Sequence, residues 1–172
     1  MVLISGPVGL PDPVGVRVRR VETTQEMEDA VRAELPAADV LVMAAAPADF
    51  RAAAVAGAKI KKGVSAPSIE LAPTPDILAT TRGARAKNAV VVGFALETDD
   101  ALRGGREKLE AKALDMVVVN DARETGAGFG VDTNRVTLLG PGGREEALPL
   151  LSKDAVADEI LDRVETLLRD RS

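Results

Sequence analysis

Residues 40–62, VLVMAAAPADFRAAAVAGAKIKK, decide the fold because they join a strand to a small-residue loop and a group of cations. Residues 40–43 are apolar without alternation, which is typical of a strand buried on both faces of a parallel sheet. Small residues and Asp49 follow at the carboxyl end of this strand, where open α/β sheets bind their ligands. Residues 59–62 then supply three lysines in four positions. The pattern indicates a site for a phosphorylated ligand, such as a nucleotide; the alternative is a surface loop with solvated lysines.

Apolar runs and capping residues on both sides of this stretch predict strands and helices in alternation. Thr23 and Glu26 have the spacing of a capping box at the start of a helix. Residues 99–114 form an amphipathic pattern that places Lys108 and Lys112 on one helical face. The predicted strands are residues 1–6, 16–21, 40–43, 68–71, 89–94 and 115–120, and further helices are capped by Thr74 and Ser152.

The last third of the chain departs from this alternation. Residues 124–130 are Gly-rich, but no helix follows them, so we reject a dinucleotide-binding loop there. Residues 131–139 and 145–150 instead predict two strands of a β-hairpin. The whole pattern predicts an α/β fold of Rossmann-like type, with three α/β/α layers, a mostly parallel sheet and a late antiparallel hairpin. With 172 residues, the chain is expected to form a single domain, residues 1–172.

Composition excludes several kinds of chemistry. The chain has no Cys and no His, so disulfides, thiolate nucleophiles and imidazole ligands are excluded, and carboxylates, lysines and backbone dipoles remain. The net charge of −5 argues against nucleic acid as a partner, and no apolar run is long enough to span a membrane. We expect a cytoplasmic protein.

Eight segments, taken together and in one collinear order, resemble the phosphopantothenate–cysteine ligase family (phosphopantothenoylcysteine synthetase) of bacterial coenzyme A biosynthesis. They are SGPVGLP (5–11), MAAAPADFR (43–51), KIKK (59–62), TPDIL (74–78), VVGFALET (91–98), KLEAKALDMVVVND (108–121), GFGVDTNRVTLL (128–139) and LPLLSKDAVADEIL (148–161). The resemblance covers nearly the whole chain, with small departures at Pro47 and Thr74.

The resemblance implies a CTP-dependent ligation. In this family the carboxylate of 4′-phosphopantothenate is activated by CTP and Mg²⁺ to an acyl-cytidylate, and the amine of cysteine then forms the amide and releases CMP. The substrates implied are therefore 4′-phosphopantothenate, cysteine and CTP, and no flavin is expected in this part of the protein. Because the nucleophile is the substrate's amine, the absence of Cys and His is compatible with this chemistry.

The resemblance also implies a set of site residues. Lys59 and Asp49 would be catalytic, Lys59 against the reacting phosphate and Asp49 against the ribose and a Mg²⁺ ion. The nucleotide-binding residues implied are Met43, Ala44, Ala45, Asp49, Lys59, Pro75, Asp76, Ile77, Leu78, Phe94, Lys108 and Lys112.

Two further expectations follow from the resemblance. The family begins with a strand and a Gly-rich phosphate turn that have no counterpart in residues 1–172, so we expect an N-terminally truncated domain with crippled catalysis. The family is dimeric, and we expect a homodimer in which hairpin 131–150 is the dimerisation element. The alternatives are a non-catalytic nucleotide-binding or dimerisation domain, and an unrelated Rossmann-like enzyme that uses NAD or a nucleotide sugar.

Overall fold

Eleven strands and four α-helices make up the described part of the chain, which comprises residues 1–59, 68–97, 100–121 and 130–171 of the computed structural model. The strands are β1 Val2–Ser5, β2 Arg17–Arg20, β3 Val40–Met43, β4 Phe50–Ala52, β5 Leu71–Pro73, β6 Val90–Glu97, β7 Met116–Asp121, β8 Thr133–Asn134, β9 Val136–Leu139, β10 Glu145–Ala147 and β11 Leu151–Ser152. The helices are α1 Thr24–Glu34, α2 Ile77–Thr80, α3 Ala101–Ala111 and α4 Lys153–Arg169. None of these helices is long and apolar enough to cross a bilayer.

A five-stranded sheet in the order β10-β9-β7-β6-β3 forms the centre of the fold. Strands β3, β6 and β7 are parallel, β9 runs antiparallel to β7, and β10 runs antiparallel to β9. The predicted mostly parallel sheet with a late antiparallel hairpin is therefore confirmed. Three two-stranded sheets accompany it: β1 with β2 in parallel, β4 with β5 and β8 with β11 in antiparallel pairing.

Helices cover both faces of the sheet because its strands carry apolar side chains on both sides. On β6, Val91 packs into the cluster that contains the buried side chains of α1 and α3. Its neighbours Val90 and Val92 point the opposite way, into the cluster that contains Val156 and Ile160 of α4. Successive strand residues alternate between faces, so uninterrupted valine runs fill two cores. The three-layer prediction is confirmed.

Helix α3 lies unusually close to the sheet at Gly105. A Cβ atom at this position would stand 2.5 Å from Cγ2 of Val119 and 2.8 Å from Cδ1 of Leu139. Carbon atoms pack best at about 3.5–4.0 Å, so glycine allows an approach that any side chain would prevent. This approach sets the position of α3 and of the two lysines that it carries.

Helix starts agree with the sequence in two cases and differ in one. Thr23 accepts a hydrogen bond from the amide of Glu26, and the Glu26 carboxylate accepts one back, so the predicted capping box is confirmed. Ser152 caps α4 as predicted, accepting from the Ala155 amide at 3.1 Å. The prediction that Thr74 caps the next helix was wrong, since Asp76 is the N-cap of the four-residue helix α2.

The predicted strand at residues 68–71 was placed too early in the chain. The structure has the strand at Leu71–Pro73, where Leu71 lies opposite Ala52 and Pro73 opposite Phe50. The pairing with β4, which is distant in sequence, sets this position.

The late hairpin also packs differently from the expectation. Strand β9 joins the central sheet beside β7, and Val136, Leu138 and Leu139 are 2%, 3% and 0% exposed within a single chain. These side chains are buried without a partner subunit, and the role of hairpin 131–150 as the dimerisation element stays a prediction. The Gly-rich residues 124–129, and Lys61 and Lys62, lie outside the described residues.

Candidate functional site

A cavity of about 580 Å³ opens where the parallel strands β3, β6 and β7 end. Its volume is within the usual range for small-molecule sites, about 300–1,000 Å³. The lining residues are Met43, Ala44, Ala45, Ala46, Pro47, Asp49, Thr74, Pro75, Asp76, Ile77, Leu78, Phe94, Ala95, Leu96, Lys108, Lys112, Asn120, Asn134 and Lys153.

The register of the sheet shows how far the lining extends. Met43 lies beside Gly93, and Leu96 lies beside Asn120. Two strand spacings and three residues therefore separate Met43 from Asn120, which corresponds to about 10 Å across the sheet and about 10 Å along it. The cavity thus spans the ends of three strands.

Eleven of the twelve nucleotide-binding residues named from the sequence line this cavity. The exception is Lys59, which is exposed and does not belong to the lining. Ile77 and Leu78 are 3% and 5% exposed, so they form a buried apolar wall. The binding roles of all twelve residues stay predictions.

The loop after β3 is held against the segment before α2 by two hydrogen bonds. The Thr74 hydroxyl donates to the carbonyl of Ala48 at 2.5 Å, and the Thr74 amide donates to the carbonyl of Asp49 at 2.9 Å. Asp49 itself is exposed, and its carboxylate forms no ion pair within the described part of the chain. These contacts bring Asp49 and Asp76 to the same cavity.

Lys108 of α3 and Lys112, the C-cap of this helix, contact different groups. Nζ of Lys112 lies 2.9 Å from Oδ2 of Asp76, and Lys108 donates to the carbonyl oxygen of Phe94. Oε1 of Glu107, on the same helix, lies 3.7 Å from Nη1 of Arg103. The lining thus contains Lys108, Lys112 and Lys153, and Lys112 is paired with Asp76.

Asp76 stays ionised because of its neighbours. Partial burial by itself raises the pKa of Asp76. The hydrogen bond from Lys112, the amide of Ala79 and the charges of Lys112 and Lys108 outweigh burial, so the pKa lies below its usual value. Since the side chain is 47% exposed, water screens the pair and its contribution to stability is small.

Arg85 connects the C-terminal end of α3 to helix α2 through hydrogen bonds to backbone carbonyls. Its guanidinium donates to the carbonyls of Lys112 at 3.1 Å and Ala113 at 2.8 Å, and to the carbonyl of Leu78 at 2.7 Å. These are carbonyls near the C-termini of α3 and α2, where a cation is favourable. Burial lowers the pKa of Arg85 below its usual value, and Nε has no partner among the described residues.

Some lining residues were not singled out for the site from the sequence. Asn120 had a signal, since a polar residue ending a buried strand lies where ligands bind. Asn134 and Lys153 reach the cavity through tertiary packing of β8 and α4, which no local pattern reveals. The others in this group are Ala46, Pro47, Thr74, Ala95 and Leu96.

The described residues contain no group of three or more His, Cys, Asp or Glu side chains that could hold a metal ion by themselves. Asp49 is the acid of the lining that has no lysine partner among the described residues. Mg²⁺ is commonly held by one or two carboxylates together with substrate phosphates, so a single carboxylate fits a phosphate-held ion.

Fold and cavity together define an α/β protein of Rossmann-like type with its ligand site at the carboxyl ends of parallel strands. Residues 1–168 match the family described as the DNA/pantothenate metabolism flavoprotein C-terminal domain, and the chain belongs to this family.

Curated relatives agree with this assignment. The chain is 48% identical over 177 residues to the coenzyme A biosynthesis bifunctional protein CoaBC of Mycobacterium bovis, and 42% identical over 168 residues to that of Vibrio vulnificus. Each alignment covers 96% of this chain and 42% of the relative, so the chain spans less than half the length of these proteins.

Solved structures identify the part that matches. The C-terminal domain of a CoaBC protein superposes with a TM-score of 0.81 at 34% identity, covering 98% of this chain and 74% of that one. A Cab2 variant in complex with phosphopantothenate-cysteine has a TM-score of 0.69 at 18% identity, covering 90% and 55% of the two chains, and shares the fold. The chain corresponds to the CoaB portion of the bifunctional relatives.

Proposed function

We propose that this domain catalyses the CTP-dependent ligation of cysteine to 4′-phosphopantothenate in coenzyme A biosynthesis. One observation supports this most strongly: eleven residues named from the ligase family lie around one cavity, in a chain that belongs to the family of CoaBC C-terminal domains. The carboxylate of 4′-phosphopantothenate attacks the α-phosphate of CTP, which forms an acyl-cytidylate and releases pyrophosphate. The amine of cysteine then attacks the acyl carbon, which forms the amide and releases CMP.

The cations of the cavity supply the electrostatic part of this proposal. Negative charge increases on the phosphate oxygens during the first step, and fixed cations stabilise it without a proton donor. Lys108 in the last turn of α3 and Lys112, the C-cap of this helix, both line the cavity. The Asp76 carboxylate holds Lys112 in place at 2.9 Å. We assign both lysines to the phosphates and Met43, Ala44 and Ala45 to the uncrowded strand end beside the nucleotide.

Asp49 is the residue that we propose to hold Mg²⁺, together with phosphate oxygens of CTP. The ion, when bound, neutralises charge on the phosphates. Asp49 suits this role because it lines the cavity, is exposed and has no ion-pair partner in the described part of the chain.

We also propose a homodimer, with an interface different from the one expected from the sequence. In the two-stranded sheet of β4 and β5, Phe50 lies opposite Pro73 and Ala52 opposite Leu71, so these four apolar side chains share one face. Phe50 and Leu71 are each 60% exposed in the single chain. A second copy that covers this face would remove it from water.

Light scattering of the wild type and of Phe50→Asp tests the proposed homodimer. We expect the wild type to be a dimer that the variant dissociates, and a wild-type monomer at tens of micromolar would contradict the proposal.

Pyrophosphate release tests the function directly. The chain is incubated with CTP, Mg²⁺ and 4′-phosphopantothenate, and the amide product is measured after cysteine is added. We expect pyrophosphate that depends on 4′-phosphopantothenate, and amide that depends on cysteine. Release without 4′-phosphopantothenate would indicate simple hydrolysis. CTP binding without any release would favour the alternative, a non-catalytic nucleotide-binding domain.

A further inference from the structure

Two asparagine side chains meet at the cavity wall where β7 ends. Asn120 belongs to β7, and Asn134 belongs to β8, which comes from a later part of the chain. Both are half-buried and both line the cavity. Nδ2 of Asn134 lies 3.0 Å from Oδ1 of Asn120.

A backbone amide determines which way both carboxamides point. Oδ1 of Asn134 accepts the amide N–H of Arg135 at 3.0 Å. A backbone N–H only donates, so the oxygen of Asn134 must face Arg135 and its NH₂ group must face Asn120. The oxygen of Asn120 is then the acceptor of this bond, and its NH₂ group is the end that remains for other partners.

The backbone that carries Asn134 is itself held in place. Strand β8 pairs with β11, with Asn134 opposite Leu151 and Thr133 opposite Ser152. The amide of Lys153, the first residue of α4, donates to the carbonyl of Asp132 at 2.9 Å. The backbone from which the Asn134 side chain projects is therefore held by β11 and by the start of α4.

We propose that Asn134 is a positioning residue that orients the carboxamide of Asn120, so that a ligand in the cavity meets an N–H donor at the end of β7. The chemical group recognised is a hydrogen-bond acceptor oxygen, either a carbonyl of the base or a phosphate oxygen. A ligand that presents a donor at this point would leave both groups unpaired and bind less tightly. The identity of the ligand as CTP rests on the proposed function, whereas the orientation of Asn120 does not.

The substitution Asn134→Asp should reverse the orientation of the Asn120 carboxamide and so tests the proposal. The aspartate still accepts from Arg135, but its second oxygen now faces the oxygen of Asn120. Asn120 must rotate by half a turn, donate to the aspartate and present its own oxygen to the cavity. We expect CTP affinity to fall by about tenfold or more for Asn134→Asp and by only a few-fold for Asn134→Ala, since a misplaced charged or polar group costs more than a missing one.

A double-mutant cycle separates action through Asn120 from a direct effect of the new charge. In an Asn120→Ala background, Asn134→Asp should weaken CTP binding by less than about twofold further, because the group that it reorients is gone. Equal losses in the two backgrounds would overturn the proposal. Ser152→Ala is the matched control for stability, since it removes the cap of α4 next to the same strand pair but leaves both asparagines intact.

Inorganic pyrophosphate distinguishes the two sources of the oxygen. If Asn134→Asp weakens binding of pyrophosphate as well as CTP, the acceptor is a phosphate oxygen. If it weakens CTP alone, the acceptor is a carbonyl of the base.

NMR of the side-chain amides decides the orientation without any nucleotide. In the wild type the NH₂ resonances of Asn134 should show the slow exchange of a hydrogen-bonded group. In Asn134→Asp the resonances of Asn120, assigned by their loss in Asn120→Ala, should acquire that protection. Unchanged Asn120 resonances would refute the proposal, whereas a wild type that fails to bind CTP would refute the proposed function alone.

Discussion

Replacing Gly105 with alanine should destabilise the protein, although the same change in an ordinary helix stabilises it. Alanine gains about 1 kcal/mol over glycine in a helix interior. At this position, however, the new Cβ would stand 2.5 Å from Cγ2 of Val119 and 2.8 Å from Cδ1 of Leu139. Both distances fall short of the optimal carbon–carbon separation by about 1 Å.

The two neighbours differ in how easily they can yield. The contact atom of Leu139 is a terminal methyl group that can rotate, whereas Val119 is branched at Cβ and stiff at χ1. Val119 is also 3% exposed, on a strand paired on both sides, so it has little room to move. Overpacking of this kind costs about 1–3 kcal/mol. After the gain in helix propensity, we expect Gly105→Ala to lose about 1 kcal/mol of stability.

Urea unfolding followed by circular dichroism measures this change, with Glu107→Ala as the control on the exposed face of the same helix. The control should stay within about 0.5 kcal/mol of the wild type. Because α3 also carries Lys108 and Lys112, a helix displaced by about 1 Å should bind CTP less tightly. A Gly105→Ala protein that is as stable as the wild type, or more so, would refute the close approach described here.

Three further predictions concern a cap, an ion pair and a loop. Thr23→Ala should cost about 1 kcal/mol of unfolding free energy, because it removes the side-chain half of the capping box, and a loss below about 0.3 kcal/mol would contradict this. The pKa of Asp76 is lowered in the fold, so its contribution to stability is present at neutral pH and disappears as the pH falls below about 4. The difference in unfolding free energy between wild type and Asp76→Asn should therefore narrow between pH 5 and pH 3, whereas a constant difference would show that the pair with Lys112 is not formed in solution. Lys59→Gln should leave the melting temperature nearly unchanged, since Lys59 is exposed, but weaken triphosphate binding; a loss of stability far beyond about 0.5 kcal/mol would show a structural role instead.

Elements with strong local signals could be predicted from the sequence. The capping box at Thr23 and the cap at Ser152 depend on residues within one turn, and both were placed correctly. The valine runs of β6 and β7 indicated strands, and the structure packs them between two helical layers. Strand β3, predicted to be buried on both faces, is instead an edge strand on which Val42 is 40% exposed. For the two caps and the strands β6 and β7, the local pattern was sufficient.

Tertiary contacts decided the features that were misplaced. Thr74 and Asp76 are both good capping residues, but the Thr74 hydroxyl is used by the carbonyl of Ala48, and Asp76 therefore caps α2. The register with β4 moved β5 to Leu71–Pro73. Likewise, only the pairing of β9 with β7 explains why Leu139 is buried without a partner subunit.

The candidate site shows the same division. Met43 to Ala45 lie at the end of β3 and Phe94 lies in the second half of β6, two strands that the sequence revealed, so their common location followed from the rule for parallel sheets. Asn134 and Lys153 belong to segments that approach the cavity only after the late strands have paired. The resemblance assigned Lys59 to the nucleotide; Lys59 is exposed and outside the lining, and its role stays a prediction.

Titration calorimetry with CTP, ATP and NAD, each with Mg²⁺, tests the central claim that the cavity at the strand ends binds CTP. The double variant Asp76→Asn/Lys112→Met removes one lysine of the cavity without leaving its acid unpaired, and Lys87→Met removes an exposed lysine outside the lining. We predict that CTP binds and NAD does not, that the double variant weakens CTP binding by about tenfold or more, and that Lys87→Met stays within about twofold of the wild type. Tighter binding of NAD than of CTP, or wild-type affinity in the double variant, would contradict the account.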